Sequence, residues 1–340
     1  GLKIIYQYAN HFAERGHTVT IIFCVSNPVA KYEGKVPYAV RYMAQKAIVQ
    51  KGPTWYPLDK RVKKIYTTAM TAQTIPDGDA VFATAIGTAR PVADLPSCKG
   101  KKYYLIQDFE NWSCSDDEVY ETYNLGMTNI PIAKWLADIV RDKTNKEPYY
   151  IANAIDTDLF RVVVENENRF PHSIAMIYQR GGHKGFQYGY RVCVRLKEKY
   201  PDLQCNIFGL SKREAEWPQW IKYTENATQE QLVEIYNSVS VFLCSSVEEG
   251  FGLCGAESMA CGCAFATTGY RGVYTYAKDN VNALISPIKD EDSLFENVCK
   301  LFEHKELRTR LAQEGRKTIE KMSWNIAFEK MDRLVEEENI

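Results

Sequence analysis

The chain has 340 residues, of which 45% are hydrophobic and 25% are charged, and its formal net charge is -1. This is ordinary globular composition, and the length suggests two domains. The near-zero charge excludes a strong electrostatic field for nucleic acid, and no apolar run in the sequence approaches the roughly 20 residues that span a bilayer.

The cysteines and the basic segments indicate the compartment. The 10 cysteines are scattered without a CxxC pair, and several lie in apolar runs such as VFLCSS (241–246), which is typical of reduced thiols in a cytoplasmic protein. The basic segments DKRVKK (59–64) and KGKK (99–102) are interpreted as solvated surface. Peripheral contact with the anionic inner face of a membrane is the alternative.

The first half of the chain alternates between helical and strand-like segments. Apolar residues recur at helical spacing in LKIIYQYANHFAERGH (2–17), and Gly16 is placed to end that helix. The strand TVTIIF (18–23) follows. A helix–strand start is unusual in an α/β domain, so we expect that a first strand and its glycine turn precede Gly1. Residues 25–60 have no clear pattern. Further strands are predicted at DAVFATA (79–85), YYLIQD (103–108), NIPIA (129–133) and YYIANAI (149–155), and a helix is predicted at KWLADIVRDKT (134–144).

A second set of elements follows the polar run VENENRFPH (164–172), which is interpreted as a linker. Strands are predicted at SIAMIYQ (173–179), LQCNIFG (203–209), VSVFLCSS (239–246) and CAFATT (263–268), with helices at 188–200, 229–238 and 293–304. This alternation predicts an α/β protein of two Rossmann-like halves with parallel sheets, joined near residue 160. Ligands bind at the carboxyl ends of such strands, so we expect the site in the cleft between the facing halves.

The segment EEGFGLCGAESMACGCAF (248–265) carries the main chemical signal. It follows a predicted strand that ends at Ser246, and it continues through a glycine loop into a short helix predicted from about 255 to 261. A helix N-terminus next to glycines suits a phosphate. The carboxylates of Glu249 and Glu257 suit paired sugar hydroxyls. These residue types favour a nucleotide-sugar site, and two surface acids around a glycine turn are the alternative.

Two other patterns resemble metal or thiol sites. Cys261 and Cys263 are only two positions apart without a nearby histidine, so a zinc site of the usual spacing is disfavoured and packed thiols are expected. A catalytic thiol would also lack a histidine close in sequence. Asp156 and Asp158 form a DxD pattern, which is interpreted as a turn with helix capping. We expect no metal ion.

The acid segment followed by SMACG (258–262) resembles the acid–seven–acid signature of family 4 glycosyltransferases, which are retaining enzymes with the two-domain GT-B fold. ANAIDTDLF (152–160), HKGF (183–186) and MSWNIAFEKM (322–331) are similar to further segments of that family. The segments similar to its bacterial rhamnosyltransferase-like branch are TAIGTA (84–89), KGKKYYLIQDFENW (99–112), ETYNLGM (121–127) and AKWLADIV (133–140).

The resemblance implies a division of the chain into three parts. Residues 1–160 would form an acceptor-side domain that lacks its first strand. Residues 161–322 would form the domain that binds the nucleotide sugar. Residues 323–340 would form a helix that crosses back to the N-terminal domain.

The resemblance also implies a role for each matched position. Glu249 would bind hydroxyls of the transferred sugar, Lys184 would neutralise the diphosphate, and Glu257 would hold the nucleoside ribose. The donor phosphate would meet the loop and helix start formed by Gly250, Phe251, Gly252 and Leu253.

Several positions depart from the family pattern. The usual arginine before the lysine is replaced by Gln179, and Arg180 follows one residue late as a second candidate cation for the diphosphate. Gln107 occupies the place of a histidine that contacts the donor sugar, which favours an altered sugar such as the 6-deoxyhexose rhamnose. Asp108 and Glu110 would face the cleft, where either could position an acceptor hydroxyl, a capped strand end being the alternative.

Together these features predict a retaining, metal-independent glycosyltransferase of surface polysaccharide synthesis. Its donor would be a nucleotide diphosphate sugar, and its acceptor a glycan or a lipid-linked glycan, with no further cofactor. The alternatives are a nucleotide-sugar epimerase of the same fold and a fragment that binds nucleotides or glycans without turnover. The expected location is the cytoplasm, with peripheral contact at the inner membrane face as an option.

Overall fold

The computed structural model describes residues 1–25, 36–53, 56–112 and 114–337. The contacts divide the chain into two units. Unit 1 comprises Gly1–Pro131, Ile139–Tyr149 and Phe328–Ile340, and unit 2 comprises Ile132–Asp138 and Tyr150–Ala327.

The described part of unit 1 contains two parallel sheets. β1 (Thr20–Cys24) pairs with β2 (Lys63–Thr67), and β4 (Lys101–Ile106) lies between β3 (Ala80–Ala83) and β5 (Thr128–Pro131). The last four residues of β4 are all buried, as a central parallel strand requires. The helices in this part of the chain are α1 (Leu2–Glu14), α2 (Tyr38–Lys51), α3 (Ile86–Ala93), α4 (Asp116–Tyr123) and α5 (Lys134–Thr144). α5 begins in unit 2, to which its residues up to Asp138 belong, and continues into unit 1.

Unit 2 is built around a parallel sheet with the strand order β11-β10-β9-β6-β7-β8. The strands are β6 (Ser173–Tyr178), β7 (Gln204–Gly209), β8 (Ile221–Glu225), β9 (Val241–Cys244), β10 (Ala264–Thr268) and β11 (Leu284–Ser286). The helices are α6 (Phe186–Lys199), α7 (Gln229–Ser238), α8 (Leu253–Ala260), α9 (Glu291–Glu303), α10 (Lys305–Glu320) and α11 (Trp324–Glu337), of which α11 continues into unit 1. The strand order reverses direction between β6 and β9, where doubly wound sheets bind ligands.

The predicted α/β class with parallel sheets is confirmed. Gly16 follows α1 with φ +90°, which is the left-handed conformation expected after a helix. The described elements without a prediction at their position are α2, β2, α3, α4, β8, β11 and α10. The strand predicted at 149–155 is wrong, because this segment makes separate hydrogen bonds to residues 129, 132 and 322 instead of a continuous ladder.

The interpretation of residues 164–172 as a linker is also wrong, because Asn166 and Arg169 are buried. The Arg169 guanidinium donates to the carbonyl oxygens of Tyr236 (2.8 Å), Val239 (2.9 Å) and Cys261 (2.5 Å). These bonds satisfy carbonyl groups at the C-terminal ends of α7 and α8 and before β9. The segment is therefore an integral part of unit 2.

The basic segment 99–102 differs from its interpretation as solvated surface. Lys99 is only 7% exposed, and its Nζ lies 2.6 Å from Asp77 Oδ1. Lys102 Nζ donates to the carbonyl oxygens of Ala93 and Leu95, both at 2.5 Å. These two ammonium groups are therefore engaged inside unit 1. In the described ranges, no helix combines the length and apolar character needed to cross a bilayer.

Candidate active site

Two loops leave the sheet of unit 2 at its reversal point. The lysine loop (residues 179–185) follows β6, and the acid loop (residues 245–252) follows β9. β6 and β9 are neighbouring parallel strands. Because parallel strands end at the same edge of a sheet, both loops leave from that edge, and each is predicted to contribute a charged residue to the site.

Direct hydrogen bonds join the two loops. The carbonyl oxygen of His183 accepts from the backbone N–H groups of Val247 (2.8 Å) and Glu248 (3.0 Å). Ser245 Oγ donates to the carbonyl oxygen of Gly185 at 2.9 Å. The two loops therefore form one hydrogen-bonded surface.

A lysine and a carboxylate meet on this surface. Lys184 Nζ lies 3.4 Å from Glu249 Oε1, and the two side chains are only 21% and 14% exposed. Ser246 Oγ donates to the same carboxylate oxygen at 2.5 Å. Because both of these contacts use Oε1, the other oxygen can accept hydrogen bonds from ligand hydroxyls.

The backbone of the acid loop offers donors for an anion. Among the described residues, the N–H groups from Glu249 to Cys254 have no hydrogen-bond acceptor, and the first bonded one is that of Gly255, 3.1 Å from the carbonyl oxygen of Gly252. Gly252 precedes α8 with φ +90°, and no side chain caps that helix. The predicted glycine loop and short helix are confirmed, although α8 starts at Leu253, two residues earlier than expected. Unpaired N–H groups at a helix start favour a phosphate ligand.

Three aromatic side chains form a hydrogen-bonded support for the acid loop. Trp135 Nε1 donates to the carbonyl oxygen of Gly250 at 2.8 Å. Tyr276 OH donates to the carbonyl oxygen of Gly252 at 2.8 Å, and Tyr270 OH lies 2.9 Å from Tyr276 OH. None of the three was a candidate from the sequence, because no local motif marks an aromatic residue that is brought to the loop by folding.

Glu257 lies in the middle of α8 and is only 5% exposed. It does not meet Lys184 in any described ion pair, whereas Glu249 does. Burial is the largest cause that raises the pKa of the Cys254 thiol, and the nearby Glu257 carboxylate adds to it. The predicted contact of Glu257 with a ribose stays a prediction.

Arg180 has a different set of partners from Lys184. Its Nη2 lies 2.8 Å from Glu214 Oε1, and its Nε donates to Tyr178 OH at 3.2 Å. The hydrogen bond to Tyr178 and the Glu214 carboxylate raise the pKa of this guanidinium. Since 66% of the side chain is exposed, a phosphate would have to compete with Glu214 for it.

The predicted residues of unit 1 lie at the carboxyl end of β4. Gln107 Nε2 donates to the carbonyl oxygen of Thr84 at 3.1 Å, and its buried Oε1 has no hydrogen-bond partner among the described residues. Asp108 Oδ1 accepts from the backbone N–H that follows it. Glu110 Oε2 accepts from the N–H of Ile86 at the start of α3, and burial raises the pKa of Glu110. Their roles toward donor and acceptor stay predictions.

The cysteines match their interpretation as packed thiols, and the DxD pattern lies in a turn. Cys261 and Cys263 are buried, and burial raises the pKa of the Cys263 thiol to about 11. Asp156 Oδ1 accepts from the N–H of Leu159 at 3.0 Å, which confirms the predicted turn. The helix capping predicted with it is wrong, because residues 157–159 form a turn and no α-helix begins there. Across the described ranges, no group of three or more His, Cys, Asp or Glu residues could hold a metal ion. Metal independence stays a prediction.

Thiol labelling of the native protein at pH 8 should distinguish packed cysteines from an activated one. Cys98 is exposed and is expected to react with iodoacetamide at least about tenfold faster than Cys254, Cys261 and Cys263, whose raised pKa values keep them protonated. Peptide mass spectrometry gives the rate at each site. The control is the denatured protein, in which all sites should react. A Cys254 rate equal to that of Cys98 would show an activated thiol.

Comparison with known proteins finds similarity to glycosyltransferases in part of the chain. Residues 164–318 match the family "Glycosyl transferases group 1", a little under half of the chain. A curated relative, an uncharacterized glycosyltransferase of Methanocaldococcus jannaschii, is 27% identical over 95 residues. This match covers 28% of the chain and only 27% of the relative.

Two solved structures show the fold. A sucrose-phosphate synthase from Thermosynechococcus elongatus superimposes with a TM-score of 0.75 at 13% identity, over 99% of this chain and 93% of that one. TarM superimposes with a TM-score of 0.64 at 15% identity, over 76% of this chain but only 54% of TarM. A mutant of S. aureus TarM has been solved in complex with UDP and alpha-GlcNAc-glycerol.

The solved structures show the fold, and the family model matches one part of the chain. The chain has the GT-B fold of glycosyltransferases. More specifically, its residues 164–318, which include the lysine loop and the acid loop, are similar to group 1 glycosyl transferases.

Proposed function

We propose that this chain transfers a sugar, with retention of anomeric configuration, from a nucleotide diphosphate donor to a glycan or lipid-linked glycan acceptor. The observation that carries the proposal is the meeting of Lys184 and Glu249 at 3.4 Å beside backbone N–H groups without an acceptor among the described residues. A diphosphate needs cations and N–H donors, and a sugar needs a hydroxyl acceptor. This surface supplies all three kinds of group.

The role proposed for each residue follows from the negative charge that develops on the leaving phosphate. As the bond between the sugar and the diphosphate breaks, negative charge grows on the leaving phosphate. Lys184 and the N–H groups of the acid loop stabilise that charge. Glu249 accepts hydrogen bonds from the transferred sugar and orients it, while Glu257 holds the ribose. Arg180 adds a second cation if the phosphate displaces Glu214.

Retention follows from attack on the face from which the phosphate leaves. The acceptor oxygen forms the new bond to the anomeric carbon, and its proton passes to an oxygen of the departing phosphate. No protein nucleophile is required in this scheme. Asp108 and Glu110 are proposed to position the acceptor hydroxyl.

The donor is proposed to be a nucleotide sugar. UDP is the first nucleotide to test, because a mutant of S. aureus TarM has been crystallised with UDP. The sugar is proposed to be a 6-deoxyhexose such as rhamnose, on the ground that Gln107 stands where a histidine is usual. The proposed setting is surface polysaccharide synthesis in the cytoplasm, and Arg61 and its basic neighbours are the candidates for peripheral membrane contact.

A thermal-shift panel of UDP-, GDP-, ADP- and dTDP-sugars tests the proposal. A donor at about 100 times its Kd should stabilise the folded protein by about 2.7 kcal/mol. Lys184→Ala should weaken binding of that donor by about 10- to 100-fold, because a hydrogen bond to a charged group contributes about 1.5–3 kcal/mol. Lys222→Ala, on the exposed part of β8, is the control and should leave the affinity unchanged.

The outcomes separate the alternatives. The absence of a shift with every donor would contradict the proposal. Release of an altered free nucleotide sugar without transfer would indicate an epimerase, and binding without any turnover would indicate a binding fragment. The anomeric configuration of the product, measured by NMR, tests retention, and transfer in EDTA tests metal independence.

A further inference from the structure

Two carbonyl oxygens of the acid loop are held by side chains from distant parts of unit 2. The indole N–H of Trp135 bonds the carbonyl oxygen of Gly250, and the hydroxyl of Tyr276 bonds that of Gly252, each at 2.8 Å. Both peptide groups therefore have one end fixed.

The fixed carbonyls determine the direction of two N–H groups. The peptide bonds of the described chain are trans, and in a planar trans peptide the C=O and the following N–H point in opposite directions. The bond from Trp135 thus turns the N–H of Phe251 away from the indole. The bond from Tyr276 does the same for the N–H of Leu253. Neither N–H has an acceptor within the described residues.

The holding side chains are themselves fixed. Tyr276 is 3% exposed and Tyr270 is fully buried, with their hydroxyls 2.9 Å apart. The Arg271 guanidinium lies 4.2 Å from the centre of the Trp135 ring. A Cβ at Gly252 would collide with the Tyr270 hydroxyl, so the tyrosines pack directly against the loop. These contacts restrain the loop in the conformation described, and a binding site that is already ordered loses less entropy when a ligand binds.

We infer that Trp135 and Tyr276 are positioning residues that orient the N–H groups of Phe251 and Leu253 toward the diphosphate of the donor. The inference rests on the proposed function, since it assigns the two N–H groups to a nucleoside diphosphate. Neither side chain contacts the ligand in this scheme. Their loss should therefore weaken recognition of the phosphates and leave recognition of the nucleoside unchanged.

The test compares a nucleoside diphosphate with its nucleoside. Affinities of UDP and uridine are measured by isothermal titration for the wild type, Trp135→Phe and Tyr276→Phe, with GDP, ADP and dTDP and their nucleosides as further pairs. Each variant should lose about tenfold in diphosphate affinity, the equivalent of one lost hydrogen bond, and less than about twofold in nucleoside affinity. A general structural defect would lower both affinities equally.

Matched variants control for the loss of aromatic groups. Trp220→Phe replaces a half-buried tryptophan that packs on the core of unit 2. Tyr200→Phe removes a hydroxyl that donates to Glu303 Oε1 at 2.5 Å, at the C-terminal end of α6. Both controls should keep the wild-type ratio of diphosphate to nucleoside affinity.

The possible results are distinguishable. If the wild type binds none of the diphosphates, the proposed function fails and the inference fails with it. If the wild type binds but both variants keep its affinity ratio, only the inference is overturned. Trp135 is half-buried, so Trp135→Phe provides the test alone should the buried Tyr276→Phe variant not fold.

Discussion

Replacement of Glu249 by glutamine is expected to lower kcat/KM for sugar transfer by about 10²- to 10³-fold, or about 3–4 kcal/mol. Glutamine keeps the shape and can still accept the hydrogen bond from Ser246. It loses the charge, however, so its hydrogen bonds to the sugar weaken and the Lys184 ammonium loses its anionic partner. Initial rates with the donor identified by thermal shift give the effect, and circular dichroism confirms the fold.

The neighbouring carboxylate provides the control. Glu248 lies 2.7 Å from Arg271 Nη2, and both side chains are about half exposed. Exposed ion pairs contribute at most about 1 kcal/mol, so Glu248→Gln should change kcat/KM by less than about threefold. If Glu249→Gln behaves like Glu248→Gln, the assigned role of Glu249 is wrong.

The substitution Gly185→Ala is expected to destabilise unit 2 by about 3–5 kcal/mol. Backbone strain and overpacking, which are among the causes of the largest effects of point mutations, would act together here. Gly185 has φ +57°, in the left-handed region, and its added Cβ would collide with the backbone carbonyl oxygen of Ser245. A backbone atom cannot rotate away, so the lysine loop would have to move and nucleotide binding should fall as well. The unfolding temperature should drop by at least about 6 °C.

The matched control separates the collision from the backbone conformation. Gly16 has φ +90°, and no atom lies within 4 Å of a Cβ built there. Gly16→Ala should therefore cost only the left-handed penalty of about 1–2 kcal/mol. Equal losses of unfolding temperature for the two variants would show that the contact with Ser245 is not the cause.

Elements with strong local signals were predictable from the sequence. The helix at 229–238 has its predicted limits as α7, which begins after a Thr228–Gln231 capping box. By contrast, β2 has the sequence KKIYT. Its first two residues are lysines and only its last two are buried, so it lacks the apolar pattern of a predicted strand. The apolar run at 149–155 was wrongly predicted as a strand, because it has the composition of a buried strand without a described neighbouring strand along its length. Apolar residues show that a segment is buried, but only neighbouring strands decide whether it becomes a strand.

The same distinction applies to the site. Glu249, Lys184 and the glycine loop could be found because their motifs are local in sequence. Trp135 lies 115 positions from Gly250, and the pairing of Arg180 with Glu214 spans 34 positions. Such partners depend on the folded arrangement of strands and loops, which periodicity does not reveal.

The buried guanidinium of Arg169 determines where a separately expressed C-terminal fragment has to begin. A fragment that starts at Ser173, the first residue of β6, would omit this side chain. The carbonyl oxygens of Tyr236, Val239 and Cys261 would lose their hydrogen bonds from the guanidinium, and the loss of a donor to a buried acceptor is costly. A fragment that starts at residue 164, where the family match also begins, would retain the arginine. Residues 164–172 therefore contribute the buried side chains of Asn166 and Arg169 to unit 2. When domains are exchanged between relatives, the junction should lie before residue 164.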